Sequence, residues 1–103
     1  MLSHMKQPSL TGTWKLNVVV GGKSGVATFA LVQADDGSLS GTYTGQVGSA
    51  AVSGIVRDAQ VEFSFDWHAG KVKYEGLLAG DKLSGKCVYG SAGGGTFEGA
   101  RVV

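Results

Sequence analysis

Cysteine, proline and charged side chains are all scarce in this chain of 103 residues. The single cysteine, Cys87, excludes an intramolecular disulfide and requires no oxidising compartment. Charged residues make up 17% of the chain and the net charge is +1, which argues against nucleic acid or a membrane surface as a partner. No run is long and apolar enough to cross a bilayer, and the N-terminus lacks the apolar core of a signal peptide. We therefore expect a cytoplasmic protein, with a trimmed secreted form as the alternative.

The sequence also lacks a constellation of catalytic or metal-binding residues. After the first five residues it has one histidine, His68, and one cysteine, Cys87, which are too few ligands for a protein metal site. The glycine-rich run 90–95 leads into a strand and not into a helix, so it does not fit a phosphate-binding loop. We predict no catalytic residue, no metal and no cofactor.

The chain does have a strict alternation of apolar and polar residues, interrupted at short intervals by glycine and aspartate. Most interruptions fit turns of two or three residues, in which glycine supplies the positive φ. No segment shows helical periodicity and no connection is long enough for a βαβ crossover, so all strand pairs should be antiparallel. The alternation predicts eight strands, at residues 12–20, 23–34, 38–47, 50–57, 60–67, 72–79, 82–89 and 95–102.

Pairing these strands across their turns joins one apolar face to the next. A two-residue turn at Gly21–Gly22 pairs Trp14 with Phe29, and a three-residue turn at 35–37 pairs Phe29 with Tyr43. A slip of one residue would turn a whole set of apolar side chains out to water. With the next turns placed at Gly48–Ser49 and His68 to Lys71, the further expected pairs are Tyr43–Gly54, Gly54–Phe63, Trp67–Val72, Tyr74–Cys87, Gly76–Gly85 and, on the outer surface, Asp66–Lys73.

Closure of the sheet follows from its one apolar face. A flat sheet of eight strands would expose that face to water, whereas a barrel covers it and removes both edges. The predicted fold class is all-β, an eight-stranded antiparallel up-and-down (meander) β-barrel. We assign residues 6–103 to this single domain and interpret residues 1–5 as a remnant of a cloning vector.

A short repeat places a glycine on the inward face of five strands. The repeat has the form hydrophobic-x-Gly, as in Leu39-Ser-Gly-Thr-Tyr43. An inward glycine allows a strand to coil sharply, and it also leaves space that can become a cavity. We favour curvature, although the two interpretations are compatible. The glycines are Gly41, Gly54, Gly76, Gly85 and Gly99.

The two ends of the chain resemble a known superfamily. Gly12-Thr13-Trp14 opens the first strand as Gly-x-Trp, and Arg101 in the last strand shares the inward parity, so its guanidinium can stack on Trp14 at a closed end of the barrel. This arrangement resembles the calycins, which include lipocalins, fatty-acid-binding proteins and avidins. The segment 36–50 also looks like the corresponding stretch of streptavidin-type proteins.

The resemblance implies a calycin-like ligand-binding barrel. Tyr43 matches a ligand-contacting tyrosine of the avidin pattern, but Gly45 stands where that pattern has a serine. Avidins surround biotin with several tryptophans, whereas this chain has only Trp14 and Trp67, so we do not expect biotin as the ligand. More broadly, the chain resembles compact bacterial barrels whose function is uncharacterised.

The leading hypothesis is a non-catalytic barrel that binds a small apolar or aromatic molecule in its interior. Inward tyrosines and tryptophan supply apolar bodies with polar tips, which is typical of small-molecule sites. The competing interpretation of the same residues is a packed aromatic core. The candidate ligand-binding residues are Phe29, Tyr43, Phe65, Trp67, Tyr74, Cys87 and Tyr89.

Two other classes of function stay open on the sequence. The first alternative is a structural or interaction module that forms a homo-oligomer through apolar residues on the outer face. The second is an enzyme whose cavity shapes a reactive substrate, for which no acid, base or nucleophile can be named. The outer-face residues are Val19, Ala30, Val32, Ile55, Leu77 and Val88.

Overall fold

The structure is a computed structural model that describes residues 9–46, 48–68 and 70–102. Its eight strands form a closed antiparallel barrel in chain order, and β8 pairs back onto β1. This confirms the predicted fold class; the expected vector remnant lies outside the described residues. The strands are β1 (Gly12–Val20), β2 (Lys23–Gln33), β3 (Ser38–Gly45), β4 (Gly48–Arg57), β5 (Gln60–Trp67), β6 (Gly70–Ala79), β7 (Lys82–Tyr89) and β8 (Gly94–Val102), with a 3₁₀ turn at Gly90–Ala92.

The core lies inside the barrel because each strand alternates between its two faces. In β1, Trp14, Leu16 and Val18 are buried, while the intervening Lys15 and Asn17 are exposed. The predicted pairs Trp14–Phe29 and Phe29–Tyr43 are confirmed, so apolar residues meet across both turns. Gly54–Phe63, Tyr74–Cys87 and Gly76–Gly85 are confirmed as well.

The predicted turn between β3 and β4 is wrong. Gly45 pairs with Gly48, so Gly48 and Ser49 already belong to β4 and form no turn. Tyr43 therefore faces Ala50 and not Gly54, which faces Leu39 instead. The pairing moves by four residues, an even number, so the same side chains of β4 still point inward.

The predicted turn between β5 and β6 is too long. Trp67 pairs with Gly70 and not with Val72, so β6 begins at Gly70 and only two residues separate the strands. On the outer face Asp66 therefore pairs with Lys71 and not with Lys73, and the Lys71 Nζ to Asp66 Oδ1 distance is 3.4 Å. The pairing again moves by an even number of residues, which preserves the inward face.

The inward glycines serve the curvature of the barrel. A Cβ added to Gly85 would lie 2.0 Å from the Glu75 carbonyl oxygen and 2.5 Å from the Gly76 Cα. A Cβ added to Gly99 would lie 2.0 Å from the Lys15 carbonyl oxygen. The neighbouring backbone thus occupies the space that a side chain would need, which supports the curvature interpretation over a glycine-lined cavity.

We expect Gly85→Ala to lower the free energy of unfolding by about 1–3 kcal/mol, because a neighbouring strand must move to admit the methyl group. Urea denaturation measures the change. Ser84→Ala is the matched control, since Ser84 is exposed on the same strand, and its effect should stay within about 0.5 kcal/mol. Equal stabilities of the two variants would contradict the close approach at Gly85.

Candidate functional site

The two ends of the barrel differ, and one of them is sealed. At this closed end Leu10 is fully buried, and its carbonyl accepts a hydrogen bond of 3.0 Å from Trp14 Nε1. The Leu10 amide donates to Gln33 Oε1 at 2.8 Å. Leu10, which precedes β1, therefore covers the closed end of the barrel. The sequence offers no signal for this role of Leu10 beyond one apolar residue ahead of the first strand.

Arg101 lies at the closed end, where its guanidinium stacks on Trp14 as the sequence predicts. Its Cζ lies 4.5 Å from the centroid of the Trp14 ring. Its three nitrogens donate to Asp81 Oδ1 at 2.8 Å, to the Thr11 carbonyl at 2.6 Å and to the Ser9 carbonyl at 2.9 Å. A planar guanidinium suits this combination of stacking and several directed hydrogen bonds. No small molecule can enter the barrel here without displacing these contacts.

Aromatic rings fill the middle of the barrel. Phe29 is fully buried and lies with its centroid 4.9 Å from Phe63 and 5.1 Å from Tyr74. Tyr43 stacks on Phe65 with centroids 4.1 Å apart. Such offset and edge-to-face contacts are the favoured geometries of aromatic pairs. The centre of the barrel is thus a packed core, and any ligand site must lie toward one end.

The open end of the barrel holds a cavity of about 220 Å³, here called the mouth cavity. It lies at the end of the barrel where β1, β3, β5 and β7 finish. Of the residues predicted to bind a ligand, three line it, namely Tyr43, Trp67 and Tyr89. The other lining residues are Val18, Val20, Lys23, Ser24, Gly25, Val26, Ala27, Gln46 and Ala92.

The remaining predicted site residues lie in the core, beneath the mouth cavity. Phe29, Phe65 and Tyr74 belong to the aromatic packing, and Cys87 faces Tyr74 across the sheet. Burial raises the pKa of the Cys87 thiol to about 11, so it is protonated at neutral pH. A buried neutral thiol is a poor nucleophile and metal ligand, which fits a packing role for Cys87.

The Nε1 atom of Trp67 is buried and has no hydrogen-bond partner. In the described part of the chain it is the one buried side-chain polar atom of which this is true. The Trp67 ring is partly exposed and meets Tyr89 edge-on, with centroids 6.1 Å apart. A buried N–H donor without an acceptor costs free energy, and native proteins rarely leave one unpaired. Trp67 therefore brings to the mouth cavity a ring whose N–H group is buried and unpaired, and a shift of this ring would be needed for an acceptor on a ligand to reach that group.

A pair of tyrosine hydroxyls links the core to the lining of the mouth cavity, to which Tyr89 belongs and Tyr74 does not. Tyr74 and Tyr89 are hydrogen-bonded through their hydroxyls, and both are buried. Burial, the largest cause, raises the pKa of both tyrosines well above the usual range. Both phenols therefore stay neutral at physiological pH, and one of them donates its proton to the other within the pair.

The sequence did not single out Gly25 and Gln46, which shape the entrance. Gly25 has the inward parity of Ala27 and Phe29, and a Cβ added there would lie 2.7 Å from Gln46 Nε2. The Gln46 side chain thus covers the space that the missing side chain of Gly25 leaves. The sequence feature that could have indicated this role was the position of Gly25 on the inward face of its strand, close to a turn.

The structure shows few other candidates for chemistry. No group of three or more His, Cys, Asp or Glu side chains that could hold a metal ion occurs in residues 9–46, 48–68 and 70–102. The same residues contain no helix that is long and apolar enough to span a membrane. The mouth cavity is therefore the site on which a functional proposal can be built.

Comparison with models of known protein families gives no match for this chain, and comparison with curated proteins gives no relative. What the structure establishes is the class of architecture, a closed eight-stranded antiparallel barrel with one sealed and one open end. Its function has to be argued from the mouth cavity itself, because a fold alone does not define a function.

Proposed function

We propose that this protein is a non-catalytic barrel that binds a small apolar or aromatic molecule in its mouth cavity. The observation that carries the proposal is a cavity of about 220 Å³ at the open end, whose mainly apolar lining includes the aromatic side chains of Tyr43, Trp67 and Tyr89. Mostly apolar walls with a few polar tips are characteristic of small-molecule sites. The packed core below gives the ligand a rigid floor at Tyr43 and Tyr89.

We further propose that the barrel is related to the calycins. The Trp14–Arg101 contact supports this, because it joins the Gly-x-Trp of the first strand to the arginine of the last. The single free cysteine, buried as a thiol, is compatible with the cytoplasmic location expected from the sequence.

A neutral environment-sensitive dye with two fused rings, 6-propionyl-2-(dimethylamino)naphthalene, tests the ligand-binding proposal. We expect a saturable fluorescence increase with wild type and at least ~10-fold weaker binding with Gly25→Val, because the added side chain enters the mouth cavity. Gly25 has an ordinary strand conformation and its missing Cβ meets only the flexible Gln46 side chain, so the variant should fold.

Ala30→Val is the matched control for Gly25→Val. Ala30 lies on the same strand but on the exposed outer face, so the added methyl groups do not approach the mouth cavity. The control variant should bind the dye as wild type does. Absence of a saturable signal with folded wild type, or equal binding by both variants, would contradict a ligand site at this end.

The alternative proposal is self-association through the outer face. All six apolar residues predicted there are exposed, and Leu77 and Val32 are each 57% accessible. Leu77 pairs with Gln60 and Ser84, so it stands among polar neighbours. Sedimentation equilibrium at high protein concentration tests this alternative. A discrete oligomer that the substitution Leu77→Lys dissociates would support self-association. A strictly monomeric profile would exclude it.

A further inference from the structure

We propose that the ligand of the mouth cavity is a small aromatic acid, with one or two rings against the cavity walls and a carboxylate at the rim near Lys23. This inference rests on the proposed function, since it names the class of ligand for the same cavity. Four features support it: the size of the cavity, its aromatic walls, the polarity of the lining groups and the distribution of charge between the two ends.

The size and walls of the mouth cavity favour one or two rings. A dry protein cavity of about 150 Å³ holds one benzene ring. The mouth cavity, at about 220 Å³, is larger than that but below the usual range for drug-sized ligands. Tyr43, Trp67 and Tyr89 offer ring faces and edges, against which an aromatic ligand gains more than an aliphatic one of equal area.

Two of the polar side chains that line the cavity can only donate hydrogen bonds, those of Lys23 and Trp67, whereas the others can donate and accept: Ser24, Tyr43, Gln46 and Tyr89. Trp67 Nε1 can only donate and has no partner. Lys23, at the start of β2, also can only donate and carries a positive charge. No acidic side chain lines the cavity in the described part of the chain. A carboxylate at the rim would supply an acceptor and a counter-charge for Lys23, whereas a cationic ligand would find no counter-charge.

The turns at the two ends of the barrel differ in charge. The turns at the closed end contain four aspartates, Asp35, Asp36, Asp58 and Asp81, whereas the described residues that connect strands at the open end, 21–22, 46, 68 and 90–93, include no acidic residue. Asp66, near the open end of β5, is paired with Lys71 at 3.4 Å. An anion that approaches the mouth is therefore not repelled by the turns around it.

Three probes of the same ring system and different charge test the inference by isothermal titration calorimetry. They are 2-naphthoate, its neutral methyl ester and the cation 2-naphthylmethylammonium. We expect 2-naphthoate to bind at least ~10-fold more tightly than the ester, because a hydrogen bond to a charged group is stronger than a neutral one. The cation should bind most weakly.

Lys23→Gln should reduce the affinity for 2-naphthoate to that for the ester and leave ester binding unchanged. Lys82→Gln is the matched control, because Lys82 also begins a strand after a two-residue turn but lies at the closed end. It should leave the affinities of all three probes as in wild type.

The outcomes separate this inference from the function on which it rests. Equal binding of the three probes, or a 2-naphthoate preference that survives Lys23→Gln, would overturn the aromatic acid and leave the ligand-binding cavity in place. Binding of the neutral dye without binding of 2-naphthoate would do the same. Failure of the dye and of all three probes to bind folded protein would overturn both proposals.

Discussion

Phe29→Ala should lower the free energy of unfolding by about 3–5 kcal/mol, the range measured for buried phenylalanines. Phe29 is fully buried and contacts four other rings, those of Tyr43, Phe63, Phe65 and Tyr74. Its loss removes these contacts and leaves a cavity that the closed sheet cannot easily collapse around. The loss is a large fraction of the about 5–15 kcal/mol that usually stabilises a domain.

Urea denaturation measures this effect through the midpoint, with the slope m checked for two-state behaviour. Val32→Ala is the control on the same strand, because Val32 is exposed on the outer face, and its effect should stay within about 0.5 kcal/mol. A loss of less than about 1 kcal/mol for Phe29→Ala would contradict a tightly packed aromatic centre.

Alkaline solution should destabilise the barrel strongly, because three buried acidic groups have raised pKa values. Burial raises the pKa of Cys87 from 9.0 to about 11, and it raises the pKa values of Tyr74 and Tyr89 above their ordinary 10.0. Below about pH 8, one unit under the ordinary pKa of 9.0 for a thiol, both the folded and the unfolded chain keep these protons, so stability does not depend on them. Above that pH the unfolded chain ionises first, and stability falls by up to about 1.4 kcal/mol per pH unit for each group.

The slope of stability against pH between 9 and 11 measures this linkage. Tyr74→Phe should make the slope above pH 10 shallower by about 1.4 kcal/mol per pH unit, because it removes one of the ionising groups. Cys87→Ala should remove the part of the decrease in the free energy of unfolding that begins near pH 9. A slope that neither substitution changes would contradict the burial of these groups as neutral acids.

The alternation of the sequence by itself determined the faces of the strands and hence the closed barrel. Every predicted strand boundary lies within two residues of the observed one. Trp14, Phe29 and Tyr74 were correctly expected to point inward, and Arg101 to meet Trp14. These features follow from a period of two and from short turns, both of which are local in sequence.

Only the tertiary structure decided where each inward residue lies along the barrel axis. The observed pairings of β3 with β4 and of β5 with β6 differ from the predicted ones by even numbers of residues. An alternation pattern cannot detect such a difference, because the same side chains point inward in both pairings. Depth along the axis separates Trp67 and Tyr89 at the mouth from Phe29 and Tyr74 in the core.

The tertiary structure also decided which end of the barrel is open. Leu10 closes one end through contacts with Trp14 and with Gln33, which lies 23 residues away in the sequence. Gly25 and Gln46 meet at the other end from different strands. Such contacts depend on distances between strands, which closure of the barrel sets, whereas the sequence pattern determines only which way each side chain points.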